Sequence, residues 1–253
     1  MLSSILSKAL IPTVLAIFCF SNSIGAEPSH QVPVLKLKQT HYYWGESEVY
    51  LSMQGIRIDN RGRMHFSLVA AAPKWDVTIY RTDDKTCVHE TLDQFKATGV
   101  VSEFLVKKHD RTIESQAKEK TDIKVGKLSG RRFTNARVLF EYIPLAKYAA
   151  PQVEDVIYTV YKLPTNGGIP TKYLKRLHGT DWLSGFQRDG SAKTFITTQS
   201  VDLTKISPDL FIPPTGYRVA KSVQEVLLSK DNRDASGDLD VFFESNKAPK
   251  KSQ

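Results

Sequence analysis

Between Lys36 and Glu90 the chain alternates apolar and polar residues in short runs, and nothing else in it restricts the fold so severely. Val49, Leu51 and Met53 fall on one side of one run. Met64, Phe66 and Leu68 fall on one side of a second, and Val77 and Ile79 on one side of a third. A period of two is the side-chain period of an extended strand, whose successive residues point to opposite faces. Asp59-Asn60-Arg61-Gly62, Ala72-Pro73 and Asp83-Asp84-Lys85 separate the runs with residues that favour tight turns. Strand, turn, strand predicts an antiparallel meander, with one face toward a core or a cavity and the other toward water.

The rest of the chain reads less regularly. Thr91 followed by Leu-Asp-Gln-Phe-Lys-Ala-Thr98 and then Gly99 predicts a short helix capped by Thr91 and stopped by Gly99. The charged stretch 102–120 predicts a second, exposed helix. Arg137–Ile143, Asp155–Leu163 and Thr194–Leu203 read as strands, and Pro170–His178 as a helical turn segment over the sheet. Val223, Val226 and Leu227 have the spacing of one helical face within 221–229. The fold class that follows is mostly β with some helix (α+β). It is a curved antiparallel sheet or an unclosed β-barrel, with a few short helices as a lid.

Lys8, the apolar run Ala9–Phe20 and the small-residue exit Ser23-Ile24-Gly25 have the three parts of a secretory signal peptide. The apolar run falls short of the ~20 residues that cross a bilayer. The expected organisation is a leader over 1–26, a single β-rich ligand-binding domain over 27–229, and a polar, disordered tail over 230–253. Phe18 before Cys19 is too bulky for a lipoprotein cleavage site, so the expected product is periplasmic or extracellular and soluble. Removing the leader leaves Cys87 as the one cysteine, so burial rather than a disulfide must hold the domain.

Lys and Arg total 35 against 27 Asp and Glu, a net charge of +8. Such a balance suits anionic surroundings as well as plain solubility. Arg131-Arg132, Lys172–Arg176 and Lys247–Lys251 are candidate patches for an anionic polymer or lipid headgroups. No nucleic-acid reading motif is present. Gly-x-Ser-x-Gly, His-Glu-x-x-His and a Walker-type Gly-Lys-Ser/Thr are all missing, and the Ser115-x-x-Lys118 match lacks its partner motifs. The chain therefore reads as a binding protein rather than an enzyme, an exported hydrolase being the weaker alternative, and it calls for no cofactor.

Metal chemistry finds little support. Cys87 and His89 stand two apart on a strand and would face the same way, but His41, His65, His109 and His178 are scattered. Cys87 reads better as a small hydrophobe on the sheet's apolar face. In the tail, Asn232, Asp234, Ser236 and Gly237 resemble the front half of a calcium loop. Position twelve is Phe243 where a bidentate carboxylate is needed.

Aromatic residues, by contrast, cluster in and beside the predicted strands: Tyr42, Tyr43, Trp44, Tyr50, Phe66, Trp75, Tyr80, Phe140, Tyr142, Tyr158 and Tyr161. They serve either a packed β core or an apolar concavity. Strand alternation assigns Leu51 and Met53, Phe66 and Leu68, Val77 and Ile79, Val138 and Phe140, and Tyr158 and Val160 to the inner face. Ser52, Ser67, Thr78 and Glu141 are assigned to the outer, wet face.

The run from Tyr43 through Leu92 resembles strand–turn–strand segments of the periplasmic outer-membrane lipoprotein carrier superfamily (LolA-like). The likeness centres on Phe66-x-Leu68, Ala71-Ala-Pro73-Lys-Trp75-x-Val77-x-Ile79, the Asp83-Asp-Lys85 turn and the helix after His89. Pro208-Asp-Leu-Phe211-Ile-Pro213-Pro-Thr-Gly216-Tyr217 is similar to the ending of some distant members. The Arg-Pro strand start of the carriers has no counterpart here, nor does 102–132 match an element of theirs. The resemblance implies an unclosed β-barrel whose helices cover an apolar cavity for the acyl chains of a lipid or lipoprotein.

Overall fold

The computed structural model describes residues 31–62, 64–100, 108–113, 119–180 and 187–227, with the backbone alone for 177–180 and 187–189. The first strands follow the predicted meander: β1 (Val32–His41), β2 (Gly45–Leu51), β3 (Gly55–Asn60), β4 (Ser67–Ala71), β5 (Val77–Arg81) and β6 (Thr86–Glu90). Later come β7 (Glu119–Val125), β8 (Leu128–Thr134), β9 (Val138–Pro144), β10 (Gly168–Thr180), β11 (Gln187–Ile206) and β12 (Arg218–Val219). These twelve form one unclosed sheet in the order β12-β6-β5-β4-β3-β2-β1-β11-β10-β9-β8-β7. Every pairing is antiparallel except β12 with β6. The fold is mostly β.

Register explains why the alternation is so regular. Val201, Leu37, Val49, Ile58, Leu68, Ile79 and Val88 are successive cross-strand partners over seven strands, so the sheet carries a continuous apolar row on its inner face. Three short helices pack on that face among the described residues: α1 (Leu92–Thr98), α2 (Pro151–Tyr161) and α3 (Val223–Leu227). The outer face carries a smaller apolar cluster of Val32, Val34, Val69, Tyr80 and Cys87. Phe211, from a 3-10 turn at Pro208–Phe211, closes over it.

α1 forms as predicted. The Thr91 hydroxyl accepts from the Gln94 amide, and Gln94 reaches back to the Thr91 amide, a capping box. Three predicted elements are corrected. Asp155–Leu163 is not a strand but most of α2, because Pro151 sits at its first turn. Val153, Val156, Ile157 and Val160 then bury one helical stripe. Pro170–His178 is not helical but lies within β10, where a register shift beside Pro170 accommodates its missing N–H. Segment 108–113 is no helix. Its backbone bonds outward instead, with His109 N donating to Lys162 O and Arg111 O accepting from Thr165 and Asn166. The rest of the predicted 102–120 helix, apart from the start of β7, lies outside the described residues. So do the leader, the Ser115-x-x-Lys118 match and the tail with its calcium-like run.

Candidate functional site

Six of the residues assigned to the inner face by alternation, Leu51, Phe66, Leu68, Val77, Ile79 and Phe140, are buried in one core cluster. Val138 lies half-buried at its margin. Val160 belongs to the same cluster but arrives on α2 rather than on a strand, and α2 also carries half-buried Tyr158. The Tyr158 hydroxyl donates to the His109 carbonyl at 2.8 Å. Met53 is corrected outright: it tops the β2–β3 turn and is 54% exposed. Two outward assignments also change. Ser52 is buried in that same turn, where its hydroxyl accepts from the Gln54 and Gly55 amides. Thr78 is buried on the outer face, 2.9 Å from His89 Nδ1.

Over β2 to β6 the inner face meets helices, whose Phe95, Val153, Val156, Ile157 and Val226 share its cluster. Over β8 to β11 it carries rings, and these too are buried in that cluster: Phe133, Phe140, Tyr142, Tyr173 and Phe195 are each at most 5% exposed. Phe133 opposes Phe140, and Phe140 opposes Tyr173, so register alone places three aromatics side by side. Tyr142 stacks on Phe133 at 5.8 Å and on Phe140 at 5.4 Å between centroids. Tyr173 meets Phe140 edge-on at 6.0 Å, and Phe195 meets Tyr173 at 5.6 Å. Phe195 is the extra residue where the β10–β11 register shifts, and such a bulge re-aims its side chain. The row continues to exposed Tyr42, 6.2 Å from Phe195, at the β1–β2 turn.

Two polar groups beside this row, Tyr173 and His41, are held neutral, while the ammonium groups of Lys120 and Lys193 sit over the rings at its two ends. The Tyr173 hydroxyl lies 3.3 Å from His109 Nδ1. Burial first, and then the charge of Asp110, push its pKa up to about 12, so the phenol keeps its proton. Gln39 donates through Nε2 to the Pro170 carbonyl at 2.8 Å and to Thr198 Oγ1 at 3.0 Å. Its Oε1 accepts from the Tyr161 hydroxyl at 3.0 Å. His41 stacks on Tyr161 at 5.2 Å, and its Nδ1 accepts from the Tyr43 amide at 3.2 Å. Burial lowers the His41 pKa to about 3 against a smaller opposing effect from the Tyr161 backbone, so this ring too is neutral.

The competing sites are less convincing. An open cleft of about 530 Å³ between the β3–β4 and β5–β6 turns is lined by Arg57, Asp59, Ser67 and Asp83. Its charges are already matched: Asp59 accepts from Arg57 at 2.9 Å and from Ser67 at 2.7 Å, and Asp83 accepts from Arg81. Cys87 Sγ stands 3.5 Å from His89 Nε2 on the outer face, as their spacing predicts. Burial pushes that thiol up, away from the thiolate form. Among the described residues no three His, Cys, Asp or Glu converge as metal ligands. Of the basic patches, Arg131-Arg132 lies on β8 and Lys172–Arg176 on β10, with Arg132 bonded to Glu141 of the strand between them. Lys247–Lys251 lies outside the described residues.

Sequence reasoning missed Phe133, Tyr173 and Phe195. Phe133 and Phe140 were detectable as aromatics equidistant from the turn 135–138, where a hairpin pairs them. Tyr173 and Phe195 depended on long-range register and on a bulge, which leave no local signal. No family model matches the chain, and no curated protein is significantly similar to it. Among the described residues, no helix is long and apolar enough to cross a membrane.

Proposed function

We propose that the protein is an exported, non-enzymatic binding protein whose inner face over β8 to β11 holds the acyl chain of a lipid or lipoprotein. One observation carries the reading: aromatic rings run unbroken from Phe133 to Tyr42, beside the Tyr173 hydroxyl and the His41 ring, which stay uncharged. A chain that displaces what now covers these buried rings needs no ionic partner. Each methylene taken from water contributes ~0.8 kcal/mol. About ten of them reach the ~8 kcal/mol of a micromolar complex, and a longer chain offsets the cost of association. The unclosed sheet supports the reading because, among the described residues, its edge at β7 carries no further strand over this end of the inner face.

The test is a titration with a fluorescent sixteen-carbon fatty acid, alongside mass spectrometry of an organic extract of the purified protein. Tyr173→Asp should abolish binding. Thr40→Asp, the same one-unit charge change on the outer face, should leave it within about twofold. Phe195→Ser serves if Tyr173→Asp fails to fold. Equal binding by all folded variants, with no lipid in the extract, would overturn the proposal.

A further inference from the structure

Where the ring row reaches the surface it ends as a cage. Tyr42 and Tyr43 meet at 89° with centroids 5.0 Å apart, and Phe195 inclines to both at 6.2 and 6.5 Å. Three mutually inclined rings turn their negative faces toward a shared space. That space holds a cation: the Lys193 ammonium, 3.5 Å from the Tyr42 centroid, 5.5 Å from Phe195 and 5.8 Å from Tyr43. No carboxylate pairs with Lys193 among the described residues. The rings alone therefore hold the ammonium.

The construction is strand-encoded. Tyr42 and Tyr43 lie in the turn between β1 and β2, and the Tyr42 amide donates to the Phe195 carbonyl at 2.8 Å, which fixes the turn against β11. Lys193 lies two residues before Phe195 on the same strand, so a flexible four-carbon stem brings its head over the rings. Tyr42 is 48% exposed, and a cation arriving from solvent reaches the outermost ring directly.

We infer that Tyr42, Tyr43 and Phe195 form a binding site for an organic ammonium group, which Lys193 occupies as an internal placeholder until a ligand displaces it. Aromatic cages of this kind favour alkylated ammonium ions, whose spread charge and methyl groups suit ring faces better than a strongly hydrated lysine does. Because the cage caps the ring row, the full ligand is an amphiphile with an ammonium headgroup. That last step rests on the acyl-chain role proposed above, whereas ammonium binding stands on the cage alone.

Tetramethylammonium, titrated at constant ionic strength against potassium chloride and followed by proton NMR of its methyl signal, tests the cage without any acyl chain. Lys193→Ala should bind at least tenfold more tightly than the unmodified protein. The double variant Lys193→Ala/Tyr42→Leu should respond no more than it does to potassium. In the unmodified protein, the ring-shifted ε-methylene signal of Lys193 should move toward its solvated position as tetramethylammonium is added. This readout needs no variant. Lys193→Ala binding no better than the parent, or an ε-methylene signal indifferent to the ligand, would overturn the inference. Tetramethylammonium binding without fatty-acid binding would sustain the cage and sink the acyl-chain role. The reverse result would sink the cage alone.

Discussion

His41 offers an acid titration whose direction and size follow from its surroundings. The ring is almost wholly buried, stacked on Tyr161 and Trp44, and burial holds its pKa near 3 where an exposed histidine has 6.5. Below about pH 6.5 the unfolded chain binds a proton that the folded chain refuses, so stability is full above that pH and falls as pH drops toward about 3. At ~1.36 kcal/mol per unit, moving from about pH 7.5 to about pH 5 removes roughly 2 kcal/mol. The carboxylates held low in the fold, such as Glu48 with its hydrogen bond from Tyr50, titrate from about 4.5 downward and add little in this window. His41→Phe keeps the stacking and deletes the titration. Its absolute stability drops with the lost Tyr43 contact, but its pH slope should flatten. Urea unfolding at both pH values should give a loss near 2 kcal/mol larger in the parent than in His41→Phe. Equal slopes would refute the assignment of His41 as a buried neutral ring.

Thr91→Ala removes the capping box of α1 and should cost about 1 kcal/mol in urea unfolding, with Thr91→Ser restoring most of it. Asp83→Ala leaves the buried Arg81 guanidinium with only the Met64 carbonyl, and should cost roughly 2 kcal/mol in thermal unfolding. Gly55→Ala would place a Cβ 2.8 Å from Phe211 and 2.9 Å from the Ala70 carbonyl. The substitution should destabilise by ~1–3 kcal/mol and speed proteolysis around Phe211 and Tyr217.

The meander was legible because its two signals agree: a period of two along each strand, and turn residues at Asn60, Pro73 and Asp83 between them. α1 was legible for a similar reason, since Thr91 and Gly99 bound it with specific chemistry. α2 was misread because Val156, Tyr158 and Val160 alternate while Val153, Val156, Ile157 and Val160 also fit a helix. β-branched residues favour the strand, and only Pro151 and tertiary packing decide otherwise. Met53 failed for a smaller reason: the strand ends at Leu51, and alternation says nothing about where pairing stops. Thr78 and Ser52 show the same limit from the other side, since polarity does not report what a turn or a neighbouring strand's side chain such as His89 will cover. The ring row was the least legible part. It is assembled from four strands joined through β9–β10 and β10–β11 pairings, and no residue records its distant partner.

The most direct test of the acyl-chain role is to map where a chain lies. A sixteen-carbon fatty acid bearing a terminal diazirine can be bound, photolysed and located by peptide mass spectrometry. Adducts should concentrate on Phe133, Phe140, Tyr142, Tyr173 and Phe195. Labelling confined to the outer cleft at Arg57, Asp59 and Ser67, or no labelling above an unfolded control, would contradict the proposal.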